Sequence, residues 1–430
     1  MTTGIPGVGA EPSAPALPDR AAVQRRTVRV LVTAQAVAGL GMGSMLSSGG
    51  LLVERLSGSA SLAGIATTLI TLGAALAAVP LAALSRARGR RVGLGTGWLL
   101  AAAGSLVVLA AARLGWYPPA LAGMLLIGAA SAANLQSRYA ATDLAEPGAR
   151  AGALSVVVWA TTVGSVLGPN LSGPGEHTAR LLHLPPPAGT FVFSVAAFVA
   201  GWAVVHTRLR PDPLLMLPAP APADAAAAPR FTARMSSALR HVRSSPAALT
   251  GLGALVLGHA VMVAVMTMTP VHLAHHGASL SIIGFTISVH IAGMYALSPL
   301  VGRATDRLGR VPVILLGQAL LVLAALLAGT AGSRQGPVTA GLFLLGLGWS
   351  CATVAGSTLL SESVAAAHRP EVEGLSDTLM NLVGAAGGAL SGPVLAGYGY
   401  GGLNAAAAVL VLPVSAAALW FVLRGPARRP

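Results

Sequence analysis

Two histidines near the middle of long apolar runs are the side chains best suited to carry a proton. His259 falls within 247–269 and His290 within 279–301, whereas no carboxylate lies near the centre of any such run. An imidazole exchanges protons near neutral pH, and ionisable groups inside long apolar segments are costly and usually functional. We therefore predict proton transfer through His290, with His259 assisting. The alternative for each is a neutral histidine bonded to a neighbouring helix.

A second polar group lies toward the end of another apolar run. There Arg138, Asn134 and Gln136 form the most polar patch within any of these runs, and Asp377 begins a further run. We predict that Asp377 and Arg138 take part in proton coupling and that Asn134 and Gln136 contact a substrate. The alternative for Arg138 is an interfacial arginine whose head group reaches polar lipid.

The segment "TPVHLAHHG", residues 269–277, contains a further histidine group. His272 and His276 are four residues apart and share a helix face, a spacing able to hold a divalent metal. Because no cysteine or acid in the segment completes such a site, we favour an exposed polar loop or a pH-sensitive gate. The single cysteine, Cys351, excludes an intramolecular disulfide.

The elements that must position these residues are membrane-spanning helices. Of the 430 residues 54% are hydrophobic and 9% charged, and the mean hydropathy is +0.73. A soluble fold needs far more charge, and the apolar runs have the length of about 20 residues that crosses a bilayer as a helix. We predict an all-α polytopic membrane protein with twelve spans, at 28–52, 61–84, 92–113, 118–142, 152–172, 189–209, 247–269, 279–301, 311–331, 337–362, 375–398 and 403–424.

These spans fall into two groups of six, separated by a polar segment. The composition predicts a disordered tail at 1–26, a bundle at 27–209, a linker at 210–246 and a second bundle at 247–430. The linker begins as a Pro/Ala-rich stretch and continues as a basic, weakly amphipathic segment, which we expect to lie on the membrane surface.

The arginines predict how the spans are oriented. With the N-terminus placed in the cytoplasm, 23 of the 27 arginines fall on the cytoplasmic side. This asymmetry is typical of the positive-inside rule, so both termini are expected in the cytoplasm of a plasma-membrane protein. The net charge of +14 therefore does not indicate nucleic acid as a partner.

Two motifs recur in the two halves. "GSVLGPNLSG" at 164–173 is echoed by "GALSGPVLAG" at 388–397, and "PLAALSRARGRR" at 80–91 by "PLVGRATDRLGR" at 299–310. The first pair repeats after 224 residues and the second after nearly the same interval. The chain is therefore predicted to be a duplicated six-plus-six architecture of two pseudo-symmetric bundles.

These motifs resemble those of the major facilitator superfamily, in particular its 12-helix drug/proton antiporters. "RATDRLGR" at 303–310 is similar to the cytoplasmic signature of the superfamily, and "GSVLGPNLSG" to the motif of its proton-driven exporters. The resemblance implies a kinked fifth span that approaches the other half and limits leak. It assigns the motif to Gly164, Gly168, Pro169 and Gly173, and a cytoplasmic gate to Asp306, Arg307, Gly309 and Arg310.

The first copy of the cytoplasmic motif departs from the family because it has no acid. Arg86 and Arg88 stand there instead, whereas Glu371, Glu373 and Asp377 occur at the start of the eleventh span. We predict a latch of reversed polarity, in which the loop arginines bind these acids. The alternative is that the arginines only satisfy the positive-inside rule.

The resemblance implies a monomeric exporter that moves a small hydrophobic or amphipathic compound against protons by alternating access. No nucleotide-binding motif and no nucleophile–base set occurs, so neither an enzyme nor a bound cofactor is expected. The alternatives are a metal or lipid exporter and a non-transporting sensor. Further residues expected to pack helices or line the cavity are Trp159, Met262, Met266, Phe285, Met294 and Trp349.

Overall fold

The apolar runs form long helices in the structure, a computed structural model that describes residues 20–146, 150–217, 231–365 and 368–424. No strand occurs within these ranges. Most of the predicted tail lies outside the described residues, but its last part, 20–26, is helical and begins the first span. This segment continues the helix because Val23 and Thr27 are buried on one side of it.

The N-terminal half contains eight α-helices that make six spans. Span 1 consists of two helices, span 5 of two helices joined by a 3₁₀ turn at Gly168–Leu171, and each other span of one helix. Span 5 extends past the predicted end at 172, to Leu181. The helices are α1 Arg20–Leu46, α2 Gly49–Ser57, α3 Ile65–Arg88, α4 Arg90–Leu114, α5 Tyr117–Ala140, α6 Arg150–Leu167, α7 Ser172–Leu181 and α8 Thr190–Arg208.

The C-terminal half repeats this arrangement after one additional helix, α9. Span 7 is α10, span 8 is α11 with α12, span 9 is α13 and span 10 is α14. Helix α15 contains span 11 and the first part of span 12, because Gly399 interrupts it with φ 67° and ψ −179°, and α16 completes span 12. The helices are α9 Phe231–Arg243, α10 Pro246–His275, α11 Leu280–Tyr295, α12 Ser298–Leu308, α13 Arg310–Gly329, α14 Gln335–Glu362, α15 Arg369–Val409 and α16 Leu412–Arg424.

Twelve spans follow from these helices. Ten segments of the described chain are long and apolar enough to cross a membrane, and the last of them, Glu371–Phe421, is the pair divided at Gly399. Span 5 is not among the ten; it is the helix with the Gly168–Pro169 break, and it packs along span 1 like the rest of the bundle. The predicted fold class is therefore confirmed.

The duplication extends to backbone geometry at the two arginine-rich turns. Gly89 has φ 92° and ψ 163°, and Gly309 has φ 93° and ψ 163°. Only glycine adopts this region readily, because it has no Cβ. Since successive spans alternate in direction, both turns lie at the end of the bundle where α1 begins. We call this end the arginine-rich face, and the other end the opposite face.

The amphipathic helix α9 packs on the protein. Its residues Ala238 and Val242 are fully buried in a cluster with Leu252, Leu360 and Val372 of spans 7, 10 and 11. The prediction placed this segment in the linker and on the membrane surface. Its apolar side is covered by the C-terminal half, so this part of the linker packs on that half, and its position at the membrane surface stays a prediction.

The two halves touch through backbone at positions toward the opposite face. Gly64 of span 2 lies so close to Gly388 of span 11 that a Cβ on Gly64 would overlap the Gly388 carbonyl oxygen. Nearby, the Thr68 hydroxyl donates to the Ala385 carbonyl at 2.8 Å. Glycine permits such contacts because two helix backbones can approach without side chains between them.

Candidate functional site

One side of span 11 is polar and exposed near its start and packs tightly against span 2 further along. Asp377 and Asn381 are exposed, whereas Gly384, Gly388 and Gly392 further along the same side are buried. A Cβ at Gly392 would overlap the Ser61 carbonyl of span 2. The halves are therefore closed together toward the opposite face and separated toward the arginine-rich face.

Span 5 likewise contacts the other half toward the opposite face and is exposed toward the arginine-rich face. The Asn170 side-chain amide donates to the Ser288 hydroxyl of span 8 at 2.8 Å, and Ser288 donates to the Val166 carbonyl at 2.7 Å. Trp159 lies two helical turns before Val166 on this side and is 68% exposed. The space between the halves, which we call the chamber, thus opens toward the arginine-rich face.

Within the chamber, charged residues of the two halves lie near each other. Arg138 at the end of span 4 interacts electrostatically with Asp377 of span 11 and lies near Tyr295 of span 8. The Arg138 Nε atom is buried and has no hydrogen-bond partner among the described residues. Two residues that the sequence analysis placed in separate runs are therefore brought together across the halves.

Asn134 is the centre of a network that connects three spans. Its Oδ1 accepts hydrogen bonds from the Gln35 amide of span 1 and, at 3.2 Å, from the Thr161 hydroxyl of span 5. Gln136 instead bonds Ser85 at 3.1 Å and the Ala78 carbonyl at 3.1 Å, inside the N-terminal half. Asn134 is thus positioned near the chamber, whereas Gln136 joins spans 2 and 4.

His259 contacts the aromatic wall of the C-terminal half. Its Nδ1 accepts the indole N–H of Trp349 at 3.2 Å, and its Nε2 lies 3.1 Å from the position of a Cβ on Gly384. Tyr295 packs edge-on against Trp349 with ring centroids 5.8 Å apart. His259 is partly exposed, so it lies at the border of the chamber.

His290 is fully buried inside the C-terminal half. Its Nδ1 lies 2.8 Å from the Leu342 carbonyl of span 10, and its Nε2 has no partner among the described residues. Leu342 and Trp349 are two turns apart on one helix, about 10 Å by helix geometry. The two histidines therefore attach to the same helix at different depths rather than contacting each other.

The remaining predicted cavity residues differ in exposure. Met262, Met294 and Trp349 are 4%, 7% and 9% exposed and belong to the core of the C-terminal half, where Met266 also packs. Phe285 is 56% exposed. In this conformation the methionines act as packing residues, as the sequence analysis allowed.

The histidines at the end of span 7 are held by other contacts. His272 stacks on Tyr400 with centroids 4.0 Å apart, and its Nε2 lies 3.0 Å from the Gly332 carbonyl. The His276 Nδ1 bonds the His272 carbonyl at 2.8 Å. No third His, Cys, Asp or Glu completes a metal site around this pair within the part of the chain that the structure describes.

A hydrogen bond between a histidine and a carboxylate at the opposite face connects the two halves. His275 Nε2 at the end of span 7 lies 2.5 Å from a carboxylate oxygen of Glu54 at the end of span 1. This pair was not predicted from the sequence. The two residues occupy equivalent places in the duplication, because each stands near the end of the first span of its half. This equivalence is the feature of the sequence that could have predicted the pair.

The glycines of the span 5 motif approach span 1, which is a correction. The prediction directed Gly164 and Gly168 toward the other half, but a Cβ on Gly168 would lie 2.6 Å from the Gly43 Cα, and Gly164 packs equally closely on Gly39. The sequence carries the matching pattern Gly39-x3-Gly43 in span 1. Of the motif residues, Pro169 and Gly173 contact span 8, through Gly284 and Ser281.

Equivalent ion pairs tie the arginine-rich turns to their own halves. Arg90 binds Asp143 through two hydrogen bonds of 2.8 and 2.9 Å, and Arg310 binds Glu362 at 2.9 and 2.7 Å. Asp306 lies close enough to Arg310 to interact electrostatically. These pairs hold the starts of spans 3 and 9 against the ends of spans 4 and 10.

The first turn takes its missing acid from the segment after span 6. Asp212 accepts the backbone N–H groups of Arg90 and Arg91 at 3.1 and 2.8 Å, at the start of span 3. A carboxylate there offsets the partial positive charge of the helix end. No described ion pair joins Arg86 or Arg88 to the acids of span 11.

Comparisons with known proteins agree with this architecture. The model of the Major Facilitator Superfamily matches residues 31–279 and 264–430. The chain is 37% identical over 402 residues to "Uncharacterized MFS-type transporter YddS" of Bacillus subtilis, covering 93% of this chain and 92% of the relative. It is 27% identical over 399 residues to "Riboflavin transporter RfnT" of Brucella anthropi, covering 93% and 95%.

Solved structures share the fold. A crystal structure of the peptide transporter POT superposes with a TM-score of 0.65 at 16% identity, covering 94% of this chain and 98% of that one. A bacterial homolog of the human lysosomal transporter Spinster gives 0.68 at 15% identity, covering 95% and 97%. With the family model matched almost throughout, this chain belongs to the Major Facilitator Superfamily of membrane transporters.

Proposed function

We propose that the protein is a proton-coupled exporter of small amphipathic or hydrophobic compounds, without enzymatic activity. The observation that carries this proposal is that the halves touch toward the opposite face, whereas Trp159, Asp377 and Asn381 toward the arginine-rich face are exposed. By the positive-inside rule the arginine-rich face is cytoplasmic. The conformation would then be one that accepts cargo from the cytoplasm, and rocking of the halves would release it outside.

The walls of the chamber favour cargo that is neutral or weakly charged. They offer the partly exposed ring of Tyr295, which packs against the buried Trp349, the amides of Asn134 and Asn381, and one charge pair, Arg138 with Asp377. Aromatic faces bind apolar planar groups, and a few amides orient polar substituents.

A planar heteroaromatic compound is the second candidate for cargo. A relative 27% identical to this chain is named a riboflavin transporter, and a flavin combines a flat aromatic system with polar substituents. The ring of Tyr295 in one half and the amide of Asn134 in the other would suit such a compound.

The sequence-based prediction gave His290 the main role in proton coupling, but we propose His259 for it, because His259 is partly exposed and contacts Trp349, whereas His290 is fully buried. Its Nδ1 accepts a hydrogen bond from Trp349, so the neutral ring carries its proton on Nε2. Protonation of Nδ1 removes this acceptor and breaks the bond between spans 7 and 10. Proton uptake would thereby alter a wall of the chamber. His290, buried and bonded to Leu342, would assist from within the half.

The test is proton movement driven by substrate in proteoliposomes, with riboflavin and lipophilic fluorescent dyes as probes. We expect His259→Ala to reduce coupled proton movement at least ten-fold while dye binding stays largely intact. His290→Ala should have the smaller effect. His206→Ala is the matched control, because His206 is exposed at the end of span 6 and stacks on Trp202.

Two results would contradict the proposal. Unchanged coupling in the His259→Ala/His290→Ala double variant would exclude both histidines as proton carriers. Probe movement down its gradient with no response to an imposed proton gradient would exclude coupled export altogether.

A further inference from the structure

We propose that His241, His368 and Glu371 form a binding site for a divalent transition-metal ion of the Zn²⁺ type. The site lies at the arginine-rich face, where α9 meets the start of span 11. One ligand atom from each residue lies within 4.8 Å of the others. Among the described residues this is the one group of three or more His, Cys, Asp or Glu side chains with such an arrangement.

The hydrogen bond of His241 prepares its other ring nitrogen for a metal. Its Nδ1 lies 2.9 Å from the Ser237 carbonyl, one turn earlier in α9. A carbonyl oxygen only accepts hydrogen bonds, so Nδ1 carries the proton and Nε2 keeps its lone pair. Metal-binding histidines are commonly held in this way, with the second nitrogen donating to a backbone carbonyl.

The other two residues stand beside this ring. The His241 and His368 rings stack with centroids 3.8 Å apart and planes inclined by 24°. The His368 Nδ1 lies 4.0 Å from a carboxylate oxygen of Glu371. That oxygen is buried and has no hydrogen-bond partner among the described residues. A buried carboxylate oxygen without a partner is costly, and a bound cation would satisfy it.

The donor set indicates the class of metal. Two imidazole nitrogens and one carboxylate suit Zn²⁺, Ni²⁺ or Cu²⁺ and disfavour Ca²⁺ and Mg²⁺, which prefer all-oxygen sites. In a tetrahedral site with bonds of about 2.0–2.1 Å, ligand atoms are about 3.3 Å apart. The side chains therefore need to move by about 1 Å, and the stacked rings need to turn until the metal lies in the plane of both, which half-buried residues can do. A solvent water would complete the coordination.

Both elements of the site belong to the C-terminal half. Helix α9 already packs there through Ala238 and Val242, so a metal would fix an existing contact. The rocking of one half against the other would not be restricted. The expected effect is greater stability of the C-terminal half, because a ligand that binds only the folded state stabilises it.

The experiment is calorimetric titration of the full-length, chelator-treated protein in detergent with Zn²⁺ alone. We expect one Zn²⁺ per chain and a higher thermal midpoint in its presence. His241→Asn, His368→Asn and Glu371→Gln should each weaken binding at least ten-fold and remove the shift in midpoint. His272→Asn is the matched control, because it disrupts the other histidine group and should leave Zn²⁺ binding unchanged.

Three outcomes would overturn the proposal. They are absence of Zn²⁺ binding in the wild-type chain, equal affinity in the His241→Asn and His368→Asn variants, and loss of binding in His272→Asn alone. Glu371→Gln keeps the volume of the side chain, so it tests the site if a histidine variant fails to fold. Gel filtration and circular dichroism identify such a failure.

Discussion

At the scale of single residues, Gly309 shows how strictly one position can require one residue type. Its φ of 93° with ψ of 163° places it where a Cβ would be strained, and Gly89 has nearly the same geometry in the other half. Each glycine directs the chain from one span into the next. Arg310, immediately after Gly309, can then reach Glu362.

We predict that Gly309→Ala lowers stability by roughly 1–3 kcal/mol, the usual cost of a residue held in a sparsely populated backbone region. The thermal midpoint of the purified protein measures this effect. Gly302→Ala is the control, because Gly302 lies in α12 with open space around its Cβ position. Equal midpoints for the two variants would show that the turn tolerates a side chain.

At the scale of helices, glycine serves two kinds of contact. Gly164 and Gly168 join span 5 to span 1 within one half, whereas Gly64 and Gly388 join span 2 to span 11 across the halves. The first contact persists as long as the half stays folded. The second must separate whenever the opposite face opens.

This difference predicts different outcomes for Gly168→Ala and Gly64→Ala. Gly168→Ala should lower the thermal midpoint, because its Cβ would press on the span 1 backbone at Gly43. Gly64→Ala should leave the fold intact but push the halves apart at the opposite face. Distances between spin labels at Ser57 and Ala278, introduced with Cys351→Ser, measure this separation.

Gly336→Ala serves as the control for both variants, because its Cβ position in span 10 is open. An unchanged label distance in Gly64→Ala would show that spans 2 and 11 do not form the closure.

The sequence predicts features that depend on local composition and misses those that depend on partners. The twelve spans and the interruption at Gly168–Pro169 follow from apolar length and from breakers. The contact of Gly168 with Gly43 and the pair of Glu54 with His275 required knowing which spans are neighbours. In both cases the sequence contains two complementary features, a pair of glycine motifs or a histidine and a carboxylate. A single sequence does not show which spans pack together and so which features come into contact.

At the scale of the whole molecule, the arginine-rich face has to close when the opposite face opens. In the present conformation Asp377 interacts with Arg138, and Glu373 accepts a hydrogen bond from Ser361 at 3.1 Å. Arg86 and Arg88 lie in the last turn of α3, at the arginine-rich face. The latch of loop arginines with span 11 acids therefore remains a prediction for the other conformation.

A charge exchange tests this latch. Arg86→Glu or Arg88→Glu should impair transport in proteoliposomes, and Glu373→Arg in the same chain should restore part of it. Glu373 is the better partner to exchange, because Asp377 already faces Arg138. Partly exposed pairs contribute about 0.2–1 kcal/mol each, so the losses should be partial.

Arg113→Glu is the control, because Arg113 lies at the opposite face and bonds the Leu182 carbonyl. Harmless single reversals together with no rescue would mean that the latch does not form.

The contact of Gly64 with Gly388 also bears on how the populations of the two conformations are set. The two glycines have no side chains to become ordered when these backbones meet, so this part of the closure costs little conformational entropy. When they part, their peptide groups keep their hydrogen bonds within each helix, so opening exposes no unsatisfied polar group to lipid. The free-energy difference between the conformations can therefore stay within a few kcal/mol, a range in which differential binding of one ligand shifts the equilibrium.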